Sequence, residues 1–292
     1  MNPLVNQDHT HADKLSVLIP VYNEEKTASE IITRVLAIGD VVKEVIIVDD
    51  GSTDRTAEIL RARVRGEPKC HFHAMPKNGG KTSAIRKALE LATGEIIIIQ
   101  DADLEYDPAE IPDVIAPILN GFADVAFGSR FLVRKAARVL YFRHYIANMV
   151  LTFLSNLLTN RNMTDIETCY KSFRAEVIKP LILTSKGFGM EVEITALICK
   201  TKARTYEVPI SYYGRAYEEG KKIGFMDGVA ALWYIGYYNL VKPWFPSARR
   251  YVRTVNEALA KNASGETAAV TEKTSLAEAA TADSFDPLGA KS

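Results

Sequence analysis

The stretch 96-IIIIQDADLEYDP-108 runs four isoleucines into four carboxylates, Asp101, Asp103, Glu105 and Asp107. Asp101 and Asp103 stand two residues apart at the end of an apolar run, and in extended backbone that spacing puts both carboxylates on one side. Such a pair suits a hard divalent cation that keeps some of its water and bridges to phosphate oxygens. A second acidic run, 47-IVDDGSTD-54, places Asp49 and Asp50 at the end of another apolar segment. Carboxylates gathered at one edge repel unless a cation compensates. That favours a site over the plainer reading, in which two acids merely solvate a strand end. Asp107, just before Pro108, reads as a helix cap.

The elements that must hold these residues follow from periodicity. Short apolar runs at 15–20, 44–50, 70–75, 95–100 and 123–129 alternate with helical patterns at 24–39, 54–64, 79–94 and 108–119. Asn23 and Ser52 or Thr53 are expected caps, and Gly39 and Gly94 expected stops. Runs such as VIIV and IIII lack polar alternation, so they are expected to be buried on both faces, as in a parallel sheet covered by helices. This is an α/β, doubly wound, mostly parallel architecture, whose ligands bind at the carboxyl ends of the strands. Those ends read VYNEE, DDGSTD, MPKNGGK, DADLE and GSR.

Bulk properties exclude several classes. The 292 residues are 47% hydrophobic and carry a formal net charge of +0, so no nucleic-acid partner is implied. Cys70, Cys169 and Cys199 show no CxxC spacing and fit a reducing compartment. The first 13 residues are expected to be a flexible tail without a signal-peptide core. Residues 14–245 are expected to form one folded unit in two halves, 14–130 and 131–245. Residues 246–292, rich in Ala, Thr, Ser and Glu from Asn256 onward, are expected to be a disordered tail. The segment 79-GGKTS-83 is not a mononucleotide P-loop, because the glycine required five positions before its Gly-Lys pair is Met75. Glycines opening a helix still let backbone N–H groups approach an anion, with Lys77 and Lys81 adding charge.

The ordered set LIPVYNEE, IIVDDGSTDRT, NGGKTSAIRKALELATGEIIIIQDADLEYDP, FGSR, TDIETCYKSFR and PISYYGRAYEEGKK resembles the inverting family 2 glycosyltransferases of the GT-A fold. Within that family it is most similar to dolichyl- and polyprenyl-phosphate sugar synthases. The resemblance implies that Pro20, Tyr22, Asn23 and Glu24 hold the donor base and ribose. It also implies that Asp49 and Asp50 contact the nucleoside, Asp50 being the stronger candidate. Gly79, Lys81 and Asp101 join them on the donor side. Asp101 and Asp103 match the DxD motif, with Asp103 the direct ligand of Mg²⁺ or Mn²⁺ and Glu105 a further metal candidate. A lipid phosphate is anionic at neutral pH and needs no general base, only cations to align it. Arg130, Arg215 and Lys221 match positions for that task, with Arg134 and Arg143 as helpers on the acceptor side. A hydroxyl acceptor would need a carboxylate base, for which Glu191 and Glu193 are the candidates. Asp165 and Glu167 are expected to support that side.

The implied partners are a GDP- or UDP-linked sugar and a polyprenyl phosphate, with a membrane-anchored protein as a further candidate. The helix 225–245, dense in Trp and Tyr and followed by Arg249, Arg250 and Arg253, suits interfacial contact or core packing equally. The expected location is cytoplasmic, at the cytoplasmic face of a membrane. Other functional classes are a glycosyltransferase with a soluble acceptor, a sugar-nucleotide pyrophosphorylase and a non-catalytic nucleotide-sugar scaffold. The pyrophosphorylase ranks low because VYNEE replaces its glycine-rich loop.

Overall fold

The computed structural model describes residues 11–132, 138–139, 141–187, 189–215 and 225–282. Strands β1 (Leu15–Val21), β2 (Val42–Asp49), β3 (Cys70–Ala74), β4 (Ile96–Ile99) and β5 (Val125–Ser129) occupy the five expected apolar runs. Between them lie α1 (Ala28–Leu36), α2 (Thr56–Arg63), α3 (Lys81–Leu91) and α4 (Ile111–Leu119). The second half adds α5 (Phe142–Thr159), β6 (Lys171–Arg174), α6 (Ala175–Ile178), α7 (Gly189–Ile198), β7 (Thr205–Pro209), α8 (Phe225–Gly236) and α9 (Pro246–Ala282). All seven strands form one sheet in the order β3-β2-β1-β4-β6-β5-β7. Pairings are parallel except at β6, which runs antiparallel to both β4 and β5. Both halves of the chain therefore share one sheet.

The four isoleucines of β4 show why this strand is apolar throughout. Ile97 and Ile99 enter the core cluster on one face, Ile96 and Ile98 the cluster on the other. Alternate side chains of a strand point to opposite faces, so only a strand covered twice needs apolar residues at every position.

Helix caps depart from expectation. Asn23 does not start α1; it sits at φ +53° and its Oδ1 accepts the N–H of Thr53 at 2.8 Å. The first turn of α2 is capped by Asp54, whose Oδ1 accepts from Thr56 N at 2.9 Å, not by Ser52 or Thr53. Asp107 caps as expected, accepting from Ala109 N. The expected disordered tail does not begin at 246. Helix α9 starts there, and Ala248, Tyr251 and Val255 are buried in the core at helical spacing. Three apolar residues on one stripe, facing α6 and α7, order a segment whose composition alone looks solvated.

Candidate active site

The acidic run leaves β4 at once and turns. Leu104 adopts φ +61°, costly for a bulky residue, and Glu105 N donates to Asp103 Oδ1 at 3.1 Å. Strand β4 ends at Ile99 and the chain already turns at 102–103, so the two aspartates do not share the extended backbone expected of them. Asp101 faces Lys81, whose Nζ lies 2.8 Å and 3.0 Å from its two carboxylate oxygens. Asp103 stays near enough to Asp101 and Glu105 to feel both. Burial, then those two charges, push its carboxyl up to about 7. Its Oδ2 takes no hydrogen bond among the described residues.

Arg215 closes one side of this turn. Its guanidinium donates to the carbonyl of Asp103 at 2.7 Å and pairs with Glu24 at 3.2 Å. Glu105 holds the same segment: Oε1 accepts Arg215 N at 2.8 Å and Oε2 accepts Tyr212 Oη at 2.9 Å, while its carbonyl takes Tyr213 N. Each carboxylate oxygen thus accepts one hydrogen bond, and Glu105 braces the Arg215 strap. Glu24, Asp103, Glu105 and Arg215 are thus brought together, joined by Tyr212, which the sequence reading missed.

The second strand end sorts its two aspartates. Asp50 accepts Gly79 N at 2.9 Å and Gly80 N at 2.7 Å, so it caps α3 from outside the helix. An internal carboxylate thus occupies the glycine N–H groups expected to greet a phosphate. Asp49 Oδ2 accepts Ser52 N at 3.4 Å, but its Oδ1 is buried without a partner. Of the two aspartates, Asp49 is the one that keeps an unengaged oxygen. Pro20 is buried at the end of β1 and Tyr22 lies exposed beside it. The loop between them and α1 is tied down by Asn23 N to Ser52 Oγ and Glu24 N to Thr56 Oγ1.

A third group links the halves of the chain. Besides Asp101, Lys81 reaches Cys169 Sγ at 3.0 Å and Glu191 Oε1 at 3.2 Å. Burial works against its charge, but Asp101, Cys169 and Glu191 outweigh it and hold the ammonium well above its ordinary range. Glu191 keeps Oε2 buried and unpartnered, as Glu167 does Oε1. Burial and then the Glu191 charge push Glu167 up to about 8. Glu193 has no free oxygen for catalysis, since Thr184 N, Thr184 Oγ1 and Ser185 N all donate to it. Arg130 is likewise committed, by two bonds of 2.6 Å and 2.8 Å to the buried Asp165, with Tyr212 under its face at 5.1 Å. Nε and Nη2 of Arg130 are thus taken by a carboxylate of the protein itself. Arg143 is exposed at the start of α5; Arg134 and Lys221 lie outside the described residues.

The sequence profile of Glycosyl transferase family 2 matches residues 16–182, which carry the first three strand ends, the acidic turn, Arg130 and Cys169. The chain belongs to glycosyl transferase family 2. This glycosyltransferase is 31% identical over 211 residues to undecaprenyl-phosphate 4-deoxy-4-formamido-L-arabinose transferase of Edwardsiella ictaluri, covering 71% of this chain and 62% of that protein. It is 31% identical over 214 residues to dolichol-phosphate mannosyltransferase of Pyrococcus furiosus, covering 72% and 60%. The chain thus spans under two thirds of the length of these curated relatives. Its fold is that of GT-A structures. One example is glucosyl-3-phosphoglycerate synthase of Mycobacterium tuberculosis, solved with Mn²⁺, uridine diphosphate and glucosyl-3-phosphoglycerate. The two share a TM-score of 0.59 at 17% identity, over 78% of this chain and 80% of that one. In this glycosyltransferase the acidic turn and the Arg215 strap lie where the parallel strands end, as the architecture requires.

Proposed function

We propose that this glycosyltransferase moves a sugar from a nucleoside diphosphate to a polyprenyl phosphate, with inversion and with the help of Mg²⁺ or Mn²⁺. The observation that carries the reading is the acidic turn itself: Asp103, with one carboxylate oxygen uncommitted, held against Arg215 at the sheet's carboxyl edge. Among the described residues no group of three or more His, Cys, Asp or Glu is arranged to hold a metal alone. That fits Mg²⁺-type binding, in which one or two carboxylates act together with substrate phosphates and water. Asp103 would hold the ion, with Asp101 next to it. When bound, a divalent ion neutralises the charge that develops on the departing nucleoside diphosphate. Asp49 Oδ1 supplies an acceptor for a nucleoside N–H or O–H. Arg215 holds the carbonyl of Asp103 and presents positive charge beside the same turn, where an acceptor phosphate needs it. Lys221 and Arg134 are proposed to add to that charge.

An anionic phosphate oxygen attacks C1 of the sugar without a base, so the chain's task is alignment. The carboxylates fit that reading: Glu193 is consumed by the 184–185 backbone, and Glu191 shares Lys81 with Asp101. The names of the curated relatives point the same way. A hydroxyl acceptor is the second reading, favoured by the unpartnered Glu191 Oε2. The test is turnover with a panel of GDP- and UDP-sugars and Mn²⁺, offering either detergent-dispersed polyprenyl phosphate or soluble glycans. The proposal expects a lipid-linked sugar; product only on a glycan hydroxyl would replace it with the second reading.

A further inference from the structure

Helices α5 and α8 are inverted relative to ordinary surface helices. From Ile146 to Leu157 on α5, every exposed side chain is apolar. Phe142, Ile146, Met149, Phe153 and Leu157 follow one another at intervals of three or four, so they form a single outward stripe. Residues Met226 to Phe245, covering α8 and the π and 3-10 turns after it, repeat the pattern. There too every exposed side chain is apolar, with Met226, Val229, Trp233, Leu240 and Trp244 along it. The two helices pack on each other, so the stripes adjoin. Phe142 is 72% exposed, Phe153 65%, Trp233 62% and Trp244 73%, in each case most of a large apolar side chain. A contiguous face of this kind marks an interaction surface.

Three features identify what covers it. Cations stand at its margins: Arg143 at the start of α5, and Arg249, Arg250 and Arg253 on α9 directly after Phe245, all exposed. Trp and Tyr mix with the aliphatic residues, and Trp233 stacks on Tyr237 at 4.9 Å. A protein interface carries about one hydrogen bond per 100–200 Å², yet the only hydrogen-bonding groups on exposed side chains from Met226 to Phe245 are the indole N–H donors of Trp233 and Trp244, which also suit a headgroup boundary. Apolar and aromatic stripes bordered by cations match an anionic lipid surface. Neither helix is long and apolar enough to cross a membrane.

We propose that α5 and α8 together seat the protein on an anionic bilayer, lying in the interface plane. This deepens the lipid-acceptor reading and rests on it for the reason the bilayer is there. The placement also connects to the site: α8 packs on α7, where the ring of Tyr234 lies so close to Gly189 that a Cβ there would come within 2.4 Å of it. Two residues further on, Glu191 enters the Lys81 cluster. A seated α8 therefore brings the bilayer to the side of the site assigned to the acceptor.

The chain's two tryptophans, Trp233 and Trp244, both lie on this face, so intrinsic fluorescence reads it directly. The full-length protein is mixed with phosphatidylethanolamine–phosphatidylglycerol vesicles bearing brominated acyl chains, without polyprenyl phosphate or nucleotide sugar. Expected are a blue shift and quenching of tryptophan emission, and a loss of vesicle partition by more than about tenfold in the Phe153→Asp, Leu157→Asp double variant. Calorimetric donor binding by that variant should be unchanged, which shows that it is folded. Emission indifferent to the vesicles would overturn the proposal. So would light scattering that finds a stable wild-type dimer which the same substitutions dissociate. Because the vesicles lack acceptor, failure here leaves transfer in detergent intact, whereas failure of the transfer reading leaves vesicle binding intact.

Discussion

Asp103 carries an ionisation that the fold disfavours, since burial and the charges of Asp101 and Glu105 hold its carboxyl near 7. Between the ordinary carboxylate range and that value, the folded chain keeps a proton that the unfolded chain has lost. Stability contributed by this residue therefore falls as pH rises through the window. Asp103→Asn should melt higher than the wild type in metal-free buffer, by about 1–2 kcal/mol at about pH 8, with the difference gone near pH 4. Thermal melts at the two pH values read this directly. The adjacent aspartates should separate in the opposite way. Asp50→Ala strips the acceptor from two loop N–H groups and should cost about 1–3 kcal/mol of stability. Asp49→Ala removes an unpartnered buried oxygen and only one long hydrogen bond, from Ser52 N at 3.4 Å, so it should cost less stability than Asp50→Ala while weakening donor binding in calorimetry. Equal losses of donor affinity in both would contradict this division of labour.

Between elements, buried ion pairs do the joining. Arg130, at the end of β5, is clamped to Asp165 in the segment before β6; burial opposes the guanidinium charge, but Asp165 more than offsets it. Asp165→Ala leaves a buried cation without its partner and should cost about 3–5 kcal/mol. The Arg130→Ala, Asp165→Ala double variant should lose far less than the sum of the singles in denaturant titrations. The strands were legible because IIII and VIIV can only be buried on both faces. Strand β6 was not, since four residues bearing Lys171 and Arg174 carry no apolar period. The acidic run was legible as a cluster, but the partners of each carboxylate within it were not. Lys81 meets Asp101 across 20 residues and Glu191 across 110, and no local pattern encodes such partners. Asp49 and Asp50 are neighbours of one type, and only the position of the α3 N-terminus decides which becomes a cap.

At the level of the whole molecule, α9 completes the core although its composition resembles a linker. Truncation after Phe245 removes Ala248, Tyr251 and Val255 from the buried cluster and should give insoluble or unfolded protein, whereas truncation after residue 264 should leave the melting temperature within a few degrees. The same scale holds the central claim, that one sheet edge gathers Asp103 from the first half and Arg215 from the second into a metal-assisted sugar-transfer site. The most direct test is lipid-linked sugar formation by wild type and Asp103→Asn, titrated with Mn²⁺ at saturating donor and detergent-dispersed polyprenyl phosphate. Expected are Mn²⁺-dependent turnover in the wild type and a fall of at least about 100-fold in the variant. Turnover that survives the substitution, or that proceeds equally well in chelator, would contradict it.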